Sequence, residues 1–247
     1  MTDVAASRYD AVVFDMDGVI TNTARTHADA WKRMFDAYLR ARSDADGVRF
    51  EPFTDDDYGQ YVDGKHRDDG VASFLVARGI QLSRGEPADP PDRETVWGLA
   101  NRKDLDFQKV LTEKGAEAFP SSVAFVRELQ AHGVGTAIVS ASKNCQRVLE
   151  AAGAGDLFRV RVDGIVAEAL KLPGKPSPAT FLEAARRLGA VPARAVVVED
   201  AIAGVEAGRR GQFALVVGVD RMGRAALLEQ AGADVVVSDL SELQVVP

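Results

Sequence analysis

The stretch Ala11-Val12-Val13-Phe14-Asp15-Met16-Asp17-Gly18 constrains this chain more than any other. An apolar run of that kind reads as a buried strand, and it ends abruptly in two carboxylates and a glycine. Residues i and i+2 of a strand share a side, so Asp15 and Asp17 are expected to face one small volume at the strand tip. Like charges held that close need a cation between them, or a proton on one of them.

The rest of the chain alternates apolar runs with helical patterns. Strands are expected at Gly135–Ser140, Val160–Val162, Ala195–Val198, Ala214–Val217 and Val235–Val237. Helices are expected between them at 121–132, 144–152, 178–188 and 225–231, with a short one after Asp200. Ser177 is the expected N-cap of the third of these, with Pro178 its first helical residue. Such alternation predicts an α/β fold with a parallel sheet covered on both faces.

The block from Asn22 to about Leu111 breaks the rhythm with helices alone. Ala24, Ala28, Trp31 and Phe35 recur at helical spacing in a helix over 22–40, and further helices are expected at 69–78 and 94–111. Thr23 and His27, four apart, are expected to stack near the start of the first helix. The stretches 43–58 and 81–93 read as loops. The expected division is a core of residues 1–21 and 115–247 interrupted by a helical insertion of residues 22–114.

With 247 residues, 46% of them hydrophobic, the chain can bury a core of real size. A net charge of −7 argues against a nucleic-acid footprint. The single cysteine excludes an internal disulfide and fits a reducing compartment. The three histidines are too scattered for a zinc site. The polar stretch Met1–Tyr9 lacks the pattern of a signal peptide, and no apolar run approaches membrane-spanning length. A cytoplasmic monomer with no membrane partner is the expectation.

Ligands of open parallel sheets gather beyond the carboxyl ends of the strands. There the sequence places Asp15 and Asp17, then Ser140 followed by Ala141, Lys143 and Asn144, then Glu199 and Asp200. Lys175 stands in a Gly-Lys-Pro-Ser-Pro loop. An all-oxygen donor set suits Mg²⁺, while a lysine and a hydroxyl beside it suit a phosphoryl group. Each part has a bland reading: Ser140 as a helix cap, Glu199-Asp200 as dipole complements, Trp31 as core, His27, Arg67 and Lys103 as solvated helix residues. Their order at successive strand tips favours the functional one.

These motifs resemble the haloacid dehalogenase superfamily of phosphoryl-transfer enzymes. Asp15-Met16-Asp17-Gly18, Ser140, Lys175 and Glu199-Asp200 match its four motifs in order. Within it, the stretches 15–32, 140–144, 64–69 and 101–103 are similar to the β-phosphoglucomutase group. The resemblance implies a Rossmann-like core with an inserted all-helical cap. Asp15 would be the nucleophile and Asp17 the acid/base. Mg²⁺, one per site, would be held by Asp15, the Asp17 carbonyl, Glu199 and Asp200. Ser140 and Lys175 would neutralise the phosphoryl oxygens beside the Ala141 backbone and Asn144. Thr23 and His27 would couple substrate binding to Asp17. Arg67, with Gly64, would grip a distal phosphate, and Lys103 and Trp31 would contact the sugar phosphate. The implied reaction converts β-glucose 1-phosphate to glucose 6-phosphate through β-glucose 1,6-bisphosphate. A sugar-phosphate phosphatase and a non-catalytic phosphate-binding regulator stand as alternatives. Gly70 departs from the group, which commonly has serine there, and Asn22 stands where it often has aspartate.

Overall fold

The computed structural model describes residues 2–47 and 49–247. Met1, and Val48 within the expected loop over 43–58, lie outside them. The chain divides into two compact units, one of Met1–Thr23 with Ala116–Pro247 and the other of Ala24–Gly115.

Among its described residues the second unit forms helices and no strand. It comprises α1 (Ala24–Asp46), a single turn α2 (Asp55–Asp57) running into a π-turn over Tyr58–Val62, α3 (Arg67–Ala77) and α4 (Val96–Lys114). The apolar stripe of α1 points inward: Trp31, Met34, Phe35 and Tyr38 are buried with Phe53, Val71, Phe74 and Leu99. Phe35 is central, stacked on Trp31 at 5.4 Å and on Phe53 at 5.0 Å and tilted against Phe74 at 4.2 Å. The expected helix start at Asn22 is corrected, since α1 begins at Ala24 and leaves Thr23 outside it. α1 also continues to Asp46, through the first part of the expected loop. The third helix begins at Arg67, two residues early, which puts Asp68 and Asp69 in the first turn where the helix dipole favours them. Thr95 caps α4 by accepting from the Gly98 amide at 3.0 Å.

The first unit is a doubly covered α/β sheet. Its elements in chain order are β1 (Thr2–Ala5), β2 (Ala11–Asp15), α5 (Pro120–Ala131), β3 (Gly135–Val139), α6 (Cys145–Ala151), β4 (Val160–Val162), α7 (Gly164–Ala169) and α8 (Ala179–Arg187). They continue with β5 (Ala195–Glu199), α9 (Ile202–Arg210), β6 (Leu215–Val219), α10 (Ala225–Ala231), β7 (Val235–Val237) and β8 (Leu243–Val246). Six strands pair in parallel in the order β4-β3-β2-β5-β6-β7. Numbered from β2, that is the Rossmann order 3-2-1-4-5-6, which reverses between β2 and β5. A crevice opens at such a reversal, and Asp15 and Glu199 end the two strands that flank it.

Both strands are buried throughout, as a central parallel strand requires. Ala11 and Val13 face a cluster built by Phe181, Ala184, Val205 and Leu228 from α8, α9 and α10. Phe14 turns to the opposite face, edge-on to Phe125 of α5 at 6.2 Å. Two expectations are corrected here, and one helix is added. Ser177 is not the N-cap of α8: Pro178 occupies that position, and the Ser177 hydroxyl accepts only a long bond, 3.3 Å, from the Ala179 amide. β7 does not finish the chain, because β8 follows and pairs in parallel with β1, in the stretch Met1–Tyr9 read only as polar. The short helix α7 was not anticipated; Asp163 caps it by accepting from the amides of Ile165 and Val166.

Candidate active site

The sheet unit gathers its chemistry at the carboxyl ends of β2, β3 and β5. Carboxylate oxygens of Asp15, Glu199 and Asp200 all lie within 4.8 Å of one another. Glu199 is fully buried and Asp15 nearly so. Lys175, itself 5% exposed, donates to both Asp15 Oδ1 and Glu199 Oε1. The Ala201 amide holds the other Glu199 oxygen at 2.6 Å.

Two glycines make room for this cluster. A Cβ on Gly204 of α9 would meet Glu199 Oε1 at 1.8 Å, so α9 can pass close to the carboxylate only with glycine there. A Cβ on Gly18 would meet Asp200 Oδ2 at 1.8 Å, and the φ of +79° at Gly18 is itself a conformation other residues resist.

Charge in this pocket is unbalanced. One ammonium serves two buried carboxylates, with Asp200 beside them. Burial pushes the Asp15 carboxyl well above its usual range, opposed by Lys175 and reinforced by Glu199 and Asp17. Burial works against the Lys175 charge, but attraction to Asp15 and Glu199 outweighs it and raises the ammonium's pKa. A net negative, oxygen-only cluster of this size fits a hard divalent cation, which would relieve the excess charge and favour the ionised form of Asp15.

Asp17 is near enough for its charge to act on Asp15, and it has hydrogen bonds of its own. Its Oδ1 accepts from the Thr23 hydroxyl, which lies 2.7 Å from the Thr21 hydroxyl. Thr21, in turn, donates to the Met16 carbonyl at 3.2 Å. The two aspartates of the motif are therefore held by different partners, Asp15 by a lysine and Asp17 by a threonine chain. The turn after Asp17 is closed by backbone bonds: the Gly18 amide bonds the Thr21 carbonyl, and the Ile20 and Thr21 amides bond the Met16 carbonyl.

At the tip of β3, Ser140 is buried and its hydroxyl accepts from the Ser142 amide at 3.1 Å. Ala141 and Asn144 follow in the same loop, where the Ser142 hydroxyl accepts from the Asn144 amide at 3.0 Å. Lys143 turns away to Glu168 at 2.7 Å. Gly164 is needed nearby, since a Cβ there would press on the Ala141 carbonyl and the Lys143 amide.

The helical unit brings the remaining candidates together in two groups. In one, Lys103 is buried with its Nζ 2.6 Å from His27 Nδ1 and 5.0 Å above the rings of Trp31 and Phe107, while His27 stacks on Phe107 at 3.9 Å. The picture of a solvated Lys103 does not hold. In the other, Arg67 donates to Asn101 Oδ1 at 2.9 Å and pairs with Asp104 at 3.1 Å. Its Nε is buried without a partner among the described residues. Gly64 sits just before α3 with φ +70°. Gly70 lies against Trp31, where a Cβ would come within 3.4 Å of the indole and 3.3 Å of Val62.

Residues 9–212 match the model of the haloacid dehalogenase-like hydrolase family. The chain belongs to that family. A β-phosphoglucomutase of Mycobacterium tuberculosis is 49% identical over 94% of this chain and 90% of its own length. A β-phosphoglucomutase of Bacillus subtilis is 31% identical over 94% and 91% respectively. Among solved structures, β-phosphoglucomutase from Clostridium difficile superposes with a TM-score of 0.74 at 24% identity, covering 96% of this chain and 93% of that one; it speaks to the fold. A Rossmann-like sheet with additional helices is the arrangement expected of a haloacid dehalogenase-like enzyme, and this chain has it.

Sequence reasoning gave Thr21 no role within its stretch and passed over Gly204 and Arg221. Thr21 is fully buried between Met16 and Thr23. Arg221 donates to the Gly18 carbonyl at 3.0 Å. A signal for it existed, because it follows a strand tip. The strand was expected to end at Val217, however, whereas β6 runs to Val219.

Proposed function

We propose that this enzyme is a β-phosphoglucomutase. It would interconvert β-glucose 1-phosphate and glucose 6-phosphate, with β-glucose 1,6-bisphosphate as the intermediate. The observation that carries this reading is the 49% identity to the Mycobacterium tuberculosis β-phosphoglucomutase, which extends over 94% of the chain and so includes the helical unit. Hydrolases of the same fold need the sheet motifs alone, so likeness in the helical unit favours a mutase over a phosphatase.

Asp15, as nucleophile, would attack phosphorus and become an aspartyl-phosphate. Lys175, already bonded to the Asp15 carboxylate, is suited to neutralise an incoming phosphoryl oxygen, with the Ser140 hydroxyl and the Ala141 backbone beside it. Asp15, Glu199, Asp200 and the Asp17 carbonyl would hold Mg²⁺, which supplies charge neutralisation of the transferring group. Asp17 would then keep its carboxyl for proton transfer with the sugar hydroxyl, in the orientation that Thr23 fixes.

The helical unit would serve as the cap. Arg67 would grip the phosphate that is not reacting, exchanging its bonds with Asn101 and Asp104 for it, and Gly64 would give it a close approach. Lys103, anchored by His27 and Trp31, would contact the sugar phosphate. A mutase must pass its phosphoryl group to a sugar hydroxyl and refuse water, which demands a closed, dry site. A bisphosphate gripped at its far end can present either phosphate to Asp15.

The test is a product balance. Enzyme with Mg²⁺, β-glucose 1-phosphate and a trace of bisphosphate is expected to yield glucose 6-phosphate with little inorganic phosphate. Stoichiometric free phosphate would make it a phosphatase, and no turnover of any sugar phosphate would leave a regulator.

A further inference from the structure

Arg221 belongs to no motif of the proposed site, yet it touches the turn that carries Asp17. It follows β6, in a loop that Asp220 pins firmly. The Asp220 amide donates to the Val237 carbonyl at 2.7 Å, and its carboxylate accepts from the amides of Met222, Arg224 and Ala225. From that base the Arg221 side chain runs across Phe119, its Cζ 3.9 Å from the ring centroid. Its Nε donates to the Gly18 carbonyl at 3.0 Å. Its Nη1 donates to the Ser238 carbonyl at 2.9 Å and to Asp239 Oδ2 at 3.2 Å, and Asp239 also accepts from Ser121 at 2.9 Å.

Gly18 is a sensitive place to hold. Its amide bonds Thr21, its α-carbon lies against the Asp200 carboxylate, and the residue before it is Asp17. The Gly18 torsions join the peptide that Arg221 holds to the one that carries the Asp17 carbonyl, and the Asp200 carboxylate packs against the same residue. Phe119, under the guanidinium, donates its amide to the Ile20 carbonyl at 2.9 Å, so both ends of the same turn meet this arginine. The Arg221 Nη2 is buried with no partner among the described residues. A stranded donor costs stability, so this guanidinium is poorly designed as a mere staple.

We propose that Arg221 is a positioning residue for the acid/base: it fixes the Gly18 carbonyl and thereby the placing of Asp17 relative to the aspartyl-phosphate. The inference rests on the reading of Asp17 as acid/base. It makes a demand that a structural staple does not. Loss of Arg221 should slow the proton-coupled transfer while leaving sugar-phosphate binding intact, because Arg221 itself touches no group assigned to the substrate.

The experiment compares four purified full-length proteins: wild type, Arg221→Ala, Arg221→Lys and Asp239→Asn. Steady-state mutase assays and ¹⁵N spectra are recorded for each. Arg221→Ala is expected to lose about tenfold in kcat, with KM within twofold, by misplacing a catalytic group. The Val19 amide, whose peptide carries the Gly18 carbonyl, is expected to shift. Arg221→Lys, which keeps a cationic donor, should recover most of kcat. Asp239→Asn cuts the same network on the side away from Gly18 and should lower the melting temperature while keeping kcat and the Val19 shift of wild type. An unchanged kcat in Arg221→Ala, or an equal loss in Asp239→Asn, overturns the proposal. Should Arg221→Ala not fold, a Lys variant with the wild-type Val19 shift but tenfold lower kcat would overturn it too. A wild type without mutase activity would refute the functional reading alone, and the Val19 shift would still decide whether Arg221 holds the Gly18 carbonyl.

Discussion

At the residue scale, the question is how two aspartates two positions apart could take the different roles proposed for them. The sequence marks both, and it marks Lys175, Ser140, Glu199 and Asp200 by their order at strand tips. It does not reveal that Lys175 reaches Asp15 and Glu199 together, because that meeting depends on a loop crossing to the switch point. Nor does it reveal Gly204, whose missing Cβ is the seat of Glu199. Gly204→Ala should displace Glu199 and weaken Mg²⁺ binding by about 10–100-fold, the range typical of supporting groups around a metal. Calorimetric titration with Mg²⁺ checks this, and unchanged affinity would contradict it. Cys145 offers a second case. It is fully buried, and burial together with nearby carboxylates pushes its thiol pKa up. Its reaction with a thiol reagent should therefore proceed only as fast as the protein opens, and addition of denaturant should release it.

At the element scale, the six parallel strands were readable because each is a short apolar run between helical patterns. The strands β1 and β8 were not. Each is four residues long and pairs with a partner at the other end of the chain, a relation no local pattern records. The extent of α1 was missed for a different reason: its last turns are polar, so the apolar stripe faded before the helix did. The turn at 239–242 links elements distant in sequence. Asp239 caps it and receives Ser121 and Arg221. Burial raises its carboxyl pKa, but donation from Ser241, Ser121 and Arg221 outweighs burial and brings it to about 2. A carboxyl depressed in the folded state stabilises the fold above its unfolded pKa, near 3.8, and loses that contribution as pH falls toward 2. Wild type should thus lose about 1–2 kcal/mol between pH 4 and pH 2 through this group, after allowance for its partial exposure. Asp239→Asn should start lower and fall less steeply over that interval, as urea titrations at each pH would register. Parallel pH profiles for the two proteins would contradict the assignment.

At the scale of the whole molecule, each unit has a hydrophobic core of its own, Phe181 and the β2 and β5 valines in one, Phe35 and Phe74 in the other. Both tryptophans, Trp31 and Trp97, lie in the helical unit, whereas the cation cluster lies in the sheet unit. Mg²⁺ at 100 times its Kd should stabilise the sheet unit by about 2.7 kcal/mol. If the units unfold separately, the tryptophan-fluorescence transition should stay in place while the main circular-dichroism transition moves up. A fluorescence transition that moves equally would mean one cooperative unit. The central claim concerns where the phosphoryl group goes after Asp15 accepts it. Enzyme briefly charged with ³²P from labelled β-glucose 1,6-bisphosphate, freed of sugar and then mixed with β-glucose 1-phosphate, measures that directly. The account requires label on wild type and none on Asp15→Asn, followed by rapid passage of the label into glucose bisphosphate. Label appearing in inorganic phosphate at the same rate with or without the sugar phosphate, or persisting on Asp15→Asn, would contradict it.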